Sequence, residues 1–179
     1  MLSEARRLQT KGEQPLLVLD LGKSIADMEG LCKAKGITVL GQNAEILRTE
    51  TCYQATVQDF RWFLLPGSDH GVLPGSRNKT YADQVQYMES NYPGYAVGGA
   101  RELVTLAMLK HIQDGTVLFP KELRTWGRCK EEYQTGEWQG RRVLLGSNSK
   151  NDSGGVSGLV VSYGDDGNDA YGLFVCVGS

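Results

Sequence analysis

The constraint that bears hardest on the fold lies in the last third of the chain. Residues 146–179 are dominated by Gly, Ser, Asp and Asn, yet they keep apolar side chains at Leu159, Val160, Val161, Leu173, Phe174, Val175 and Val177. A disordered tail lacks apolar cores of this kind. The stretch must therefore hold short buried strands, expected over residues 158–163 and 173–177, joined by polar loops. A further strand is expected over residues 137–145.

Upstream the pattern changes. Residues 1–14 are polar, charged and without periodicity, which predicts a flexible N-terminal arm. Residues 16–21 form a compact apolar run that suits a buried strand. Ser24 with Asp27, and Thr80 with Asp83, have the spacing of capping boxes that open helices. After the first, Ile25, Met28, Leu31 and Cys32 recur at helical spacing up to Gly36; after the second, Val85 and Met88 mark an apolar face that runs to Asn91. Leu103, Leu106, Ala107 and either Met108 or Leu109, extended by Ile112, set a third helix over about residues 100–113, with Gly115 at its end. Residues 46–49, 53–57 and 60–65 read as extended, and residues 66–79 as a surface loop. Helices followed by an irregular antiparallel third predict an α+β fold. At 179 residues the chain is too short for two ordinary domains, so residues 15–179 are expected to form one.

The chemistry-bearing residues are sparse. The two histidines, His70 in the loop and His111 on the third helix, are too few for a multi-His metal site, and no G-x-S-x-G nucleophile turn is present. The Gly-rich stretch 67–75 has neither a Walker lysine nor a dinucleotide fingerprint. Asp165, Gly167 and Asp169 match part of a calcium loop, but the required Glu is missing, so this run reads as turns. Cys32, Cys52, Cys129 and Cys176 are scattered without a CxxC pair, which predicts free buried thiols and a reducing compartment. No cofactor and no metal are expected. A net charge of -2 without a basic stripe argues against a nucleic-acid partner. The absence of a long apolar run predicts no membrane span and no signal peptide, hence a cytoplasmic or virion-associated location, or export by a non-Sec route.

The C-terminal segment carries two further signals. Residues 151–179 contain no Lys, Glu, Gln, Met or Trp, the five residue types that an AAC codon cannot reach when only its adenines are mutated. Its Tyr, Ser, Gly and Asn are also the side chains of adaptable binding surfaces, with Tyr163 and Tyr171 as natural anchors.

Beside these signals, the order Gly94-Tyr95-Ala96, Ala100-Arg101-Glu102-Leu103, Leu118-Phe119-Pro120, a Trp, Arg141-Arg142-Val143 and a terminal Gly172-Leu173-Phe174-Val175-Cys176-Val177 resembles variable proteins of diversity-generating retroelements. The similarity extends to Leu17-Val18-Leu19-Asp20 and to Ala26-Asp27-Met28; the chain departs from the pattern in stopping at Val177-Gly178-Ser179 without an Arg-rich end. The resemblance implies a C-type-lectin-like fold without catalysis, whose variable region, here residues 147–172, is rewritten by mutagenic reverse transcription to bind an unknown ligand, a protein or cell-surface molecule. Carried onto this sequence, Asn148, Asn151, Asp152, Ser153, Ser157, Ser162, Tyr163, Asp166, Asn168, Asp169 and Tyr171 are the expected ligand contacts, while Leu159, Val161, Phe174 and Val175 are scaffold. Two other readings stand beside it: an oxidoreductase of the formylglycine-generating type using Cys129 or Cys176, and an adhesion module of fixed specificity.

Overall fold

The computed structural model describes residues 1–58, 60–66, 71–115, 117–119, 124–147, 159–164, 167 and 170–178. Its described residues form an α+β arrangement of two four-stranded sheets with helices. The chain runs through α1 (Leu2–Thr10), β1 (Leu16–Asp20), α2 (Ile25–Lys33), α3 (Ala44–Arg48), α4 (Thr51–Gln54), β2 (Arg61–Leu65), α5 (Tyr81–Asn91), β3 (Ala96–Val97) and α6 (Ala100–Asp114). It then forms β4 (Trp126–Glu132), a 3-10 turn at Gly136–Trp138, β5 (Arg142–Gly146), β6 (Val160–Tyr163), β7 (Tyr171–Leu173) and β8 (Val175–Gly178).

The first sheet has the order β1-β2-β8-β3 with antiparallel neighbours; Leu17 faces Leu64, Leu64 faces Val177, and Ala96 faces Cys176. The second has the order β6-β5-β4-β7, antiparallel except for the parallel pair β4 and β7. The apolar run expected as one strand over residues 173–177 is thus two strands in two sheets. Phe174 is the link: its N–H donates to Arg128 O at 3.0 Å, its carbonyl accepts from Gly98 N–H at 2.9 Å, and its ring is fully buried. The ring lies so close to Gly98 that a Cβ there would come within 2.3 Å of it, so this position admits only glycine without a shift.

The capping box at Ser24 forms in full, whereas at Thr80 only the half in which Asp83 N–H reaches the Thr80 hydroxyl does; that hydroxyl donates to the Asp83 carboxylate at 2.7 Å. Asp27 N–H donates to Ser24 Oγ at 3.0 Å while Ser24 N–H donates to the Asp27 carboxylate, and Asp83 N–H donates to Thr80 Oγ1 at 3.3 Å. Helix α6 starts where Glu102 accepts from Gly99 N–H, and Gly115 closes it. Its first nine residues are buried on every side, including Arg101, Glu102 and Thr105, because it touches strands of both sheets as well as α2 and α4. Ile112, expected to extend the apolar stripe, is instead exposed beyond that packed part, as Leu31 is on α2.

Other expectations are corrected. The segment expected as an arm is helical over Leu2–Thr10 and is fixed by Leu8, fully buried against Leu64, Leu73, Met88 and Tyr92. One buried leucine leaves no periodic signal in a polar sequence. Residues 46–49 and 53–57, expected as extended, fall largely in or beside the short helices α3 and α4, which bury Ala44, Leu47 and Tyr53; the β-branched Ile46 and Thr49 mislead there. Within residues 66–79, Val72, Leu73 and Ser76 are buried rather than on the surface, since Leu73 N–H donates to Leu173 O and Ser76 Oγ accepts from Leu173 N–H. Only residues 142–145 of the strand expected over 137–145 are extended; Trp138 sits in the 3-10 turn before it.

Candidate functional site

Strands β6 and β7 carry the described part of the C-terminal segment, and they form the two outer edges of the second sheet. Side chains alternate between faces along a strand. Val161 and Tyr163 therefore share the inward face with Leu145 and Val143, their partners on β5, whereas Val160 and Ser162 share the other face with Leu144, Trp126, Arg128 and Tyr171. Leu159, Val161, Phe174 and Val175, the expected scaffold positions, are all buried.

The expected contacts are only partly brought together. Ser162 and Tyr171 are half-buried on one face, while Tyr163, more than a third exposed, lies at the opposite edge on the other. Three strand spacings, about 14 Å, separate the two edges. Tyr163 and Tyr171 are therefore anchors of two different surfaces. Asn148, Asn151, Asp152, Ser153, Ser157, Asp166, Asn168 and Asp169 lie outside the described residues, as do Asp165 and His70.

How the segment is held is informative. Among the described residues, five side chains from elsewhere in the protein donate hydrogen bonds to its main-chain carbonyls. Asn43 Nδ2 reaches Val161 O at 3.1 Å and Tyr133 Oη reaches Ser162 O at 2.8 Å. Arg128 Nε reaches Gly164 O at 3.0 Å, Arg77 Nη1 reaches Ala170 O at 3.4 Å, and Gln84 Nε2 reaches Tyr171 O at 2.9 Å. Among the described residues Arg128 is the largest fully buried side chain; it also donates to Lys79 O and Gln84 Oε1, and its guanidinium lies 5.3 Å from the Tyr171 ring centroid. A cation buried this completely needs such a set of acceptors. None of these clamps was legible as such in the sequence, because a buried arginine within Trp126–Glu132 breaks the apolar alternation that marks a strand.

Tyr163 has a second kind of neighbour. Its ring is 4.9 Å from Trp138, which in turn meets Tyr133 edge-on at 5.3 Å, and Arg141 lies over the Tyr163 ring at 4.9 Å. Trp138 and Arg141 went unnoticed as contacts because they precede the polar segment.

Further cavities lie elsewhere among the described residues. One of about 490 Å³ is lined by Glu29, Lys33, Arg48 and Tyr53, where Glu29 already pairs with Arg48 and accepts from Tyr53 Oη. Another, about 370 Å³, is lined by Cys52, Glu131 and Arg142. Burial pushes the Cys52 thiol up to about 12, the Cys176 thiol up to about 11 and the Cys129 thiol well above its usual range, with nearby carboxylates adding to each. All four cysteines are free. Among the described residues no cluster of His, Cys, Asp and Glu could hold a metal ion, and no helix is long and apolar enough to cross a membrane. No family model matches the chain, and comparison with curated proteins and with solved structures gives no significant match.

Proposed function

We propose that this protein is a non-catalytic ligand-binding protein on a C-type-lectin-like scaffold, whose segment 147–172 is diversified by mutagenic reverse transcription. The observation that carries this reading is that Asn43, Tyr133, Arg128, Arg77 and Gln84 donate hydrogen bonds to main-chain carbonyls of the described part of the segment, and every residue type possesses that carbonyl. These hydrogen bonds do not depend on the side chain displayed at the accepting position. The residue types absent from 151–179 support the same reading at codon level. The joining of the strand nearest the start of the chain, β1, to the last one, β8, through β2 in one sheet, with the variable segment in the other, supports the fold assignment.

The oxidoreductase reading loses support, because a redox cysteine works as a thiolate and burial holds Cys129 and Cys176 protonated. The decisive experiment is to sequence the genomic neighbourhood. A near-identical copy of the coding region for 147–172, differing only at adenines and lying beside a reverse transcriptase gene, is the expected result; a locus without that copy sinks the reading.

A further inference from the structure

The aromatic cluster around Tyr163 reaches beyond the variable segment. Trp138 and Arg141 belong to the turn that joins β4 to β5, and this turn is held closed along its length. Tyr133 N–H donates to Arg141 O at 3.0 Å, Gly140 N–H returns to Tyr133 O at 2.9 Å, and Arg141 N–H donates to Trp138 O at 3.0 Å. From below, the buried Glu50 carboxylate accepts from Gln134 N–H at 2.9 Å and from Thr135 Oγ1 at 3.1 Å. Gly136, at φ 76°, provides the left-handed step that lets the turn close. Trp138 and Arg141 are thus presented in a preset geometry, which lowers the entropy lost on binding.

The charge at this patch is held in place by an aromatic ring. Arg7, Arg48, Arg61, Arg101 and Arg142 each pair with a carboxylate. Among the described residues Arg141 has no such pair; it is exposed, and its guanidinium stacks on Tyr163. Its planar fork suits a carboxylate supplied from outside. A sugar ring stacked flat on the aromatic rings is disfavoured, since Tyr133 and Tyr163 lie against Trp138 and Arg141 covers Tyr163.

We propose that Trp138, Arg141 and Tyr163 form one docking patch, two parts fixed and one variable, that takes an acidic protein segment, with a carboxylate on Arg141 and an apolar side chain against the exposed edges of Trp138 and Tyr163. Trp, Tyr and Arg are the residue types that concentrate binding energy at protein interfaces. The inference rests on the reading of 147–172 as the contact surface, through Tyr163. It predicts a fixed element in recognition: variants of the segment change which acidic partner is chosen, while Arg141 retains the demand for a carboxylate.

The test uses the full chain labelled with 15N and two end-blocked dodecapeptides, one alternating Asp and Glu with Leu and Phe, the other its Asn and Gln counterpart. The acidic peptide is expected to shift the Trp138 indole signal, assigned with W138F, and to bind at least about tenfold more tightly than the neutral one. Arg141→Gln should abolish that preference, Arg141→Lys should keep part of it because the charge remains without the fork, and Lys33→Gln on α2 should leave it unchanged. Equal binding of the two peptides, a preference that survives Arg141→Gln, no binding up to about 1 mM, or binding only on a glycan array overturns the proposal. These outcomes are independent of the genomic test: a missing template copy removes diversification and leaves the peptide preference standing, whereas a failed preference leaves diversification untouched.

Discussion

At the end of β1 the Asp20 carboxylate is fully buried, gripped by both Arg101 Nη groups at 2.7 Å, by Arg61 Nε at 3.0 Å and by Gly22 N–H at 2.9 Å. Arg61 and Arg101 also reach Glu102, so two cations and two carboxylates tie β1, β2 and the start of α6 together. Burial alone would raise the Asp20 pKa; the hydrogen bonds from Arg101, Gly22 and Arg61 outweigh it and hold the group at about 2, against an ordinary 3.8. Because the folded carboxyl binds its proton less tightly than the unfolded one, its contribution to stability is complete above about pH 5 and drains away as pH falls through 3.8 towards 2. Asp20→Asn is expected to destabilise by about 3 kcal/mol at pH 7, since it leaves buried Arg101 with Glu102 as its remaining anion, shared with Arg61. In urea titrations the variant's midpoint should also vary less than the wild-type midpoint between pH 5 and pH 2; parallel pH profiles would remove Asp20 as the cause.

At the scale of elements, the link between the sheets is the point of greatest sensitivity. Phe174→Ala should cost about 3 to 5 kcal/mol, because the emptied space lies between two sheets and a helix that cannot all close in on it. Gly98→Ala should also destabilise through overlap with the Phe174 ring, and the double variant should be more stable than the sum of the two losses implies. Thermal unfolding of the three proteins checks this; strict additivity would show that the ring and Gly98 do not meet.

What was legible in the sequence at this scale follows from what periodicity can encode. The capping pairs at Ser24 and Thr80 located α2 and α5, and the apolar run at Leu16–Asp20 located β1, because each signal is local. Helix α1 and the short α3 and α4 were not legible, since their burial rests on one or two side chains set by distant partners. Strand β4 was hidden for the reason that makes it useful: the Arg128 it buries clamps the site. For the candidate site, composition pointed to Tyr163 and Tyr171 and the resemblance to Ser162, but only the sheet order shows that the two tyrosines face different ways, and only the ring contacts that Trp138 and Arg141 join one of them.

For the molecule as a whole, the division between a carbonyl-held segment and a buried scaffold predicts unequal tolerance. A library that varies Ser162 and Tyr163, on a strand held through its carbonyls, among residues reachable from AAC should stay within about 1 kcal/mol of the parent in stability for most members. Leu159→Ala and Val161→Ala, made in the same background, should each lose about 2 kcal/mol or more. Protease resistance of the displayed library reads this directly; library members as fragile as the two alanine variants would contradict the division.

The placement of β8 has a consequence for the order of events during synthesis. Strands β2 and β3 are joined in the first sheet only through β8, which lies between them, and β8 emerges from the ribosome after the whole of 147–172. If the segment is diversified as proposed, each version would have to bring its own keystone home, and one that strays would leave β2 and β3 unjoined. Strand order would then act as a quality control on every variant before a ligand is met.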